Sequence, residues 1–172
     1  MDNKVVQVGL MVAGIAGGIV GFRALGFSFL IVLAALLGCW YLFQRLGVNR
    51  HLTAPLTCAA SHGIWFLAGL LLAPLAGIPI GGMLIEIGPD MVILAALVAW
   101  IYRSRSKASL YVLVAYEGAS LAFNGYVLAT EILPLGMQLN LVAHMVLRLA
   151  TVVTGAIAVR HHAEFARTAT TG

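Results

Sequence analysis

The sequence predicts an all-α membrane protein built as a six-helix transmembrane bundle. Of its 172 residues, 62% are hydrophobic and only 9% are charged. A soluble domain carries about 25% charged residues, so this chain has too little polar surface to enclose a water-soluble core. Several windows of roughly 18 to 22 residues contain at most one charge, which is the length needed to cross a hydrocarbon core of about 30 Å.

Charged residues separate the apolar runs and set the limits of the predicted spans. The six spans cover approximately residues 5–22, 24–43, 53–73, 80–102, 108–129 and 138–159. We interpret residues 1–160 as a single transmembrane domain and residues 161–172 as a short cytoplasmic tail. The first apolar run has no small-residue cleavage site followed by a polar chain, so it is expected to remain as a span.

Basic residues are concentrated at one predicted face of the bundle. They follow spans two, four and six, and they are Arg45, Arg50, Arg103, Arg105, Lys107, Arg160 and Arg167. The positive-inside rule therefore predicts that both termini lie in the cytoplasm, in a plasma or inner membrane. The formal net charge of +4 arises largely from these residues, for which we expect membrane lipids and not nucleic acid as partners.

Ionisable residues inside the predicted spans are the strongest functional signal. The five residues are distributed over four spans and are His62, Asp90, Glu117, His144 and Arg148. All of them except His144 are placed roughly 15–20 Å from the cytoplasmic edge by a rise of about 1.5 Å per residue. A charge at the centre of a membrane helix costs roughly 2.5–3.5 kcal/mol, so we expect Arg148 to pair with Glu117 or Asp90 inside the bundle. We interpret the five as a candidate substrate-binding or ion-binding site. The alternative is an ion pair with a purely structural role.

The two intramembrane histidines allow several interpretations. A histidine bonded to a neighbour such as Ser61 is the common arrangement, whereas His62 and His144 together would suit a proton relay or axial haem ligation. A shift of 82 residues aligns His62 with His144 and Arg23 with Arg105, as an inverted three-plus-three repeat would. We predict no metal site and no cofactor, because histidines and cysteines do not occur at zinc-binding spacing.

The first predicted span carries closely spaced glycines. Gly14 and Gly18 form one small-xxx-small pair, and Gly17 and Gly21 form another that overlaps it. Such pairs let two helix backbones approach closely in lipid. We expect them to pack against another helix of this chain, a second copy in a homo-oligomer, or a partner membrane subunit.

A stretch rich in helix-breaking residues precedes the fourth span. Residues 74–90, PLAGIPIGGMLIEIGPD, contain three prolines and four glycines. A helix that began at Pro89 and ended at Tyr102 would be only about 20 Å long, too short to cross the bilayer. We therefore expect a discontinuous fourth span or a re-entrant segment within residues 74–89. The alternative is an interfacial loop at residues 74–82, followed by a kinked but continuous helix.

Together these features favour a small transporter or channel subunit with a charged intramembrane site. Two other functions stay open: a non-catalytic assembly or regulatory subunit of a larger membrane complex, and a membrane redox or lipid-modifying enzyme. We favour a role without catalysis because the sequence contains no Ser-His-Asp order and no phosphate-cradling loop.

Overall fold

The computed structural model describes residues 27–162, which form five α-helices and one short 3-10 helix. The α-helices are α1 (Phe27–Arg45), α2 (Arg50–Leu72), α3 (Ile80–Ser104), α4 (Lys107–Thr130) and α5 (Leu135–Arg160). The 3-10 helix, Ala73–Ala76, follows α2 directly, and residues 27–162 contain no strand. The predicted all-α class is therefore confirmed.

Four of these helices are long and apolar enough to cross a membrane. Helices α2 to α5 contain between 23 and 26 residues each. At about 1.5 Å per residue they are longer than the hydrocarbon core of a bilayer, about 30 Å. These features identify the chain as an integral membrane protein.

The predicted spans from 24–43 to 138–159 each correspond to one described helix, with boundaries that differ by a few residues. Hydrogen bonding and capping extend the helices slightly beyond the apolar windows. The first predicted span, at 5–22, lies outside the described residues. The same holds for residues 163–172 of the tail and for the predicted packing glycines Gly14, Gly17, Gly18 and Gly21.

The helices run alternately up and down, so the turns form two chemically different ends. We call one the basic end, because Arg45, Arg50, Arg103, Arg105, Lys107 and Arg160 lie there. Two helices begin at this end with side-chain caps: the Asn49 side chain accepts from the His51 amide, and the Ser106 hydroxyl accepts from the Ser109 amide. The opposite end contains Pro74, Pro79 and Pro134 in its turns, and we call it the proline end.

The fourth predicted span is a continuous helix, so the expectation of a discontinuous span or a re-entrant segment in residues 74–89 is wrong. Helix α3 begins at Ile80 and includes Pro89 in its interior. Proline removes one backbone hydrogen bond, whereas ending the helix within lipid would leave many more backbone groups unpaired. Within residues 74–89, only residues 74–79 lie outside an α-helix, and the chain turns there through Gly77, whose φ is 72°.

Helix α2 is the centre of the described bundle. It packs against α1, α3 and α5, and α4 packs mainly against α5. The basic half of the bundle is filled by apolar side chains that are almost fully buried, including Leu52, Leu56, Leu97, Ile101, Leu110 and Leu113. Helices α3 and α4 touch sparsely, which leaves space between them toward the proline end.

The pairing of α4 with α5 depends on one small residue. A methyl group added at Gly155 of α5 would lie 2.7 Å from Cγ2 of Val114 on α4, closer than two carbon atoms can approach. Small residues at such positions let membrane helices pack closely. This contact fixes the spacing of the two helices that carry Glu117 and Arg148.

Candidate functional site

Arg148, in the middle of α5, joins α3 and α4 through two ion pairs. Its Nη1 atom donates to Glu117 Oε2 at 2.8 Å, and its Nη2 atom donates to Asp90 Oδ2 at 2.5 Å. The side chains of Arg148 and Glu117 are 3% and 0% exposed, whereas that of Asp90 is 30% exposed. The arginine therefore pairs with both candidate acids, and Asp90 is the one that remains accessible.

All three charged residues lie near the middle of their helices. Arg148 is about 20 Å along α5 from Leu135, and Asp90 is about 15 Å along α3 from the same end. Glu117 is about 15 Å along α4 from the basic end. The ion pairs are therefore distant from both ends of the bundle, where water and headgroups would solvate them.

We call Asp90, Glu117 and Arg148 the charged trio. Two carboxylates and one guanidinium carry one excess negative charge when all three are ionised. Such an excess charge is unfavourable in an apolar interior unless water, a proton or a cation compensates it.

Tyr116 is a fourth member of this network that the sequence analysis did not identify. Its hydroxyl donates to Asp90 Oδ1, and the Arg148 guanidinium lies 6.0 Å from the centre of its ring. Adjacent residues of a helix point in different directions, so the proximity of Tyr116 to Glu117 in the sequence does not reveal a shared site. The available signal was its position in mid-span, away from the interfaces where tyrosine is enriched.

The two histidines contact each other beside the charged trio. His62 Nε2 lies 2.8 Å from His144 Nδ1, and His62 Nδ1 lies 3.8 Å from Glu117 Oε1. His62 is fully buried. Its ring therefore bonds to His144, not to the neighbouring Ser61. With this contact, the structure brings together all five residues that the sequence analysis selected.

Aromatic rings enclose the His144 imidazole. Trp65 stacks on it with a centroid separation of 4.1 Å, and Phe66 stacks on it at 4.7 Å. Two axial ligands of one haem lie on opposite faces of the iron, so imidazoles that bond directly to each other do not suit that role. Among residues 27–162, no group of three or more His, Cys, Asp or Glu side chains is placed to hold a metal ion.

A cavity of about 660 Å³ lies between α3, α4 and α5 and ends at the charged trio. Its lining contains both apolar and polar side chains, and we call it the polar cavity because of the latter. Its polar lining consists of Glu86, Asp90, Tyr116, Ser120, Asn124, His144 and Arg148. Glu86 and Asn124 each lie about 9 Å from the proline end along their helices, so the cavity extends toward that end. A second cavity of about 290 Å³, which includes Asn140, shares Phe66, Ile87 and His144 with the first.

The site is therefore asymmetric along the bundle axis. Charged side chains and the larger cavity lie on the proline side of the trio. On its basic side, buried leucines pack with the buried threonines Thr53, Thr57 and Thr151, and an apolar cavity of about 280 Å³ between α2 and α3 extends into this half. Comparison of the chain with protein-family models, curated proteins and solved structures found no match. Its function is accordingly inferred from the geometry of this site.

Proposed function

We propose that this protein is a small membrane transporter or channel subunit in which the charged trio binds a permeant cation or proton. The observation that carries the proposal is that two acids, Asp90 and Glu117, share one arginine, Arg148, at the inner end of the polar cavity. A structural ion pair needs only one acid for Arg148. The second acid, Asp90, is 30% exposed and lines the cavity, so it is available to a solute as well as to the arginine.

The shape of the cavity supports a transport role. The exposed fraction of Asp90 permits contact with a solute, while Glu117 and Arg148 lie behind it. Glu86 adds a second acid to the cavity lining. A cation that enters from the proline end therefore meets acidic side chains first. Toward the basic end, the buried side chains of Leu97 and Leu113 separate the trio from solvent, as expected of a transporter whose site is open to one side only.

The proposed arrangement in the membrane follows from the distribution of charge. We propose six spans with both termini in the cytoplasm of a plasma or inner membrane, because the positive-inside rule favours the basic end on the cytoplasmic side. The polar cavity then opens away from the cytoplasm. A bundle this thin has a narrow centre, so assembly with a second copy or with a partner membrane subunit belongs to the proposal.

The test is ion flux in liposomes that contain the purified protein. The panel comprises protons, sodium, potassium and tetramethylammonium, and the variants are Glu117→Gln and Asp90→Asn. Glu131→Gln, which removes an exposed acid at the end of α4, is the matched control. We expect the intact protein and Glu131→Gln to transport at least one member of the panel, and the trio variants to lose that flux while retaining their elution profile.

Two outcomes would contradict the transport proposal. If the intact protein, Glu117→Gln and Glu131→Gln all leak at the rate of protein-free liposomes, the trio is not a transport site. If Glu117→Gln is degraded unless a partner membrane protein is present, the trio has the structural role expected of an assembly subunit.

A further inference from the structure

The two imidazoles connect Glu117 to the polar cavity. His144 borders the cavity, and its Nδ1 lies 2.8 Å from Nε2 of His62. The other ring nitrogen of His62 lies 3.8 Å from Oε1 of Glu117. This series of groups crosses α5, α2 and α4, and it leads from the cavity to a carboxylate that is itself fully buried.

The interval between His62 and Glu117 is bounded by two polar atoms that lack hydrogen-bond partners within residues 27–162. These atoms are His62 Nδ1 and Glu117 Oε1, and both are buried. An unpaired buried donor or acceptor destabilises the fold. An N–H···O bond spans about 2.7–3.2 Å, so a relative movement of roughly 1 Å or less would join the two atoms.

One distribution of protons suits both contacts. A neutral imidazole donates from one nitrogen and accepts at the other. If His144 carries its proton on Nδ1, it donates to His62 Nε2, and His62 then carries its own proton on Nδ1, toward Glu117 Oε1. In this state Nε2 of His144 is left as an acceptor.

The ring of His144 is held in place at the cavity. Trp65 and Phe66 stack against it with interplanar angles of 18° and 20°. The charged or titratable side chains that interact electrostatically with this ring are those of His62 and Arg148. Stacking restricts rotation of the ring, so its hydrogen bond to His62 is maintained, and the same residue lines the cavity.

From this geometry we propose that His144 and His62 transfer protons between the polar cavity and Glu117, and that Glu117 is the proton-binding group of the transport site. The inference rests on the proposed transport function and specifies one of its permeant species. Histidine suits this task because its two nitrogens can accept and release a proton on opposite sides of the ring.

The transfer conserves protons and charge. A hydrated proton in the cavity releases its proton to His144 Nε2 and becomes neutral water, the Nδ1 proton of His144 moves to His62 Nε2, and the Nδ1 proton of His62 moves to Glu117 Oε1. One proton has entered, both imidazoles are again neutral in the opposite tautomer, and Glu117 is a neutral acid. Return of the proton along the same path restores the original tautomers.

Charged and titratable groups on three helices surround Glu117. Arg148 on α5 occupies Oε2, Asp90 on α3 shares that guanidinium, and Cys58 and His62 on α2 complete the surroundings. Because Arg148 engages Oε2, Oε1 is the oxygen that faces the histidines. Protonation there removes the excess charge of the trio, so a proton at Glu117 competes with a cation held by Asp90.

The test uses proteoliposomes that contain a pH-sensitive dye, with an imposed pH gradient and a potassium ionophore to balance charge. We expect His62→Gln and His144→Ala to slow proton flux by about 10²-fold, the lower end of what a positioned proton-transfer group contributes. His51→Ala is the control, because His51 stacks on His161 away from the trio. It is expected to conduct at the intact rate.

Chemical rescue separates proton transfer from packing. The gap left by His144→Ala borders the polar cavity, so added imidazole can enter it. We expect imidazole to restore flux and pyrrole, a ring of similar size that does not accept a proton, to have no effect. Equal rescue by both rings would overturn the proposal, because it would assign His144 a packing role.

The remaining outcomes distinguish failure of this inference from failure of the proposed function. If Glu117→Gln abolishes flux but both histidine variants conduct normally, the relay is wrong and the transport site stands. If the intact protein conducts no ion, both proposals fail. If the histidine variants do not fold, proton flux through the intact chain is compared in H₂O and D₂O. Equal rates in the two solvents would overturn the relay.

Discussion

Arg148 Nη1 lies 2.8 Å from Glu117 Oε2, and both side chains are withdrawn from the surface of the bundle. The contact joins α4 to α5 at mid-height. Asp90 binds the second amino group of the same guanidinium, so the arginine is shared between two acids. This sharing predicts how the chain responds when either acid is removed.

The charged trio predicts a strongly non-additive effect of neutralising its two acids. Asp90→Asn or Glu117→Gln alone leaves Arg148 in a balanced ion pair, so each single variant is expected to stay close to the intact stability. The double variant leaves an arginine that cannot lose its charge, and breaking a buried pair in this way costs about 3–5 kcal/mol. The test is to measure, in mixed micelles, the free energy of unfolding of the intact chain, the two single variants and the double variant.

The four proteins form a double-mutant cycle. Its coupling energy is the difference between the double-variant effect and the sum of the two single-variant effects. Two single-variant effects that sum to the double-variant effect would show that Arg148 does not depend on the two acids together. Glu86→Gln combined with Glu131→Gln is a control, because it also removes two acids but leaves the charged trio intact.

The contact between Gly155 and Val114 predicts a second stability effect. Gly155→Ala places a methyl group where Val114 Cγ2 already lies, so α4 and α5 must separate. Overpacking of this kind costs about 1–3 kcal/mol. We expect thermal unfolding at a lower temperature, together with reduced ion flux because Glu117 and Arg148 move apart.

Two matched variants test the cause of this effect. Val114→Ala should restore stability to Gly155→Ala, since it removes the group that clashes. Gly125→Ala lies between the same two helices, but the added methyl group would meet only the flexible end of Met145 at 3.6 Å. It should therefore be tolerated, and an equal loss of stability in Gly125→Ala and Gly155→Ala would argue against the predicted clash.

The asymmetry of the bundle predicts a difference in water access at equal depth. Asn124 lies about 9 Å from the proline end and lines the polar cavity, whereas Leu97 lies about 10 Å from the basic end within the apolar core. In a background where Cys39 and Cys58 are alanine, a charged thiol reagent should modify Asn124→Cys rapidly. It should modify Leu97→Cys slowly in the same detergent, and the reverse order would contradict the assigned opening.

Much of the fold could be predicted from the sequence because membrane helices are marked by length and charge. Apolar runs bounded by arginine and lysine predict the described helices to within a few residues, and the cost of intramembrane charge predicts which residues gather in the interior. The effect of Pro89 could not be predicted in this way. Local propensity favours a break there, but lipid cannot pair the backbone groups that a break would release.

The sequence predicts the pairing of Arg148 with an acid, but it does not predict the partners of Tyr116 or of the two histidines. A membrane helix is apolar on its lipid face as well as on its packed face, so periodicity does not reveal which side meets a neighbour. The bond from Tyr116 to Asp90 and the contact between His62 and His144 depend on how the helices are rotated. Those rotations depend in turn on contacts such as that of Gly155 with Val114.

In the proposed function the charged trio holds one excess negative charge, and a proton and a cation compete to neutralise it. The most direct measurement is proton release from purified protein in weakly buffered detergent as sodium, potassium or tetramethylammonium chloride is added. We predict that at least one of these cations releases protons from the intact chain and from Glu131→Gln, and none from Glu117→Gln. Equal proton release from the intact chain and Glu117→Gln, or no release from either, would contradict the claim.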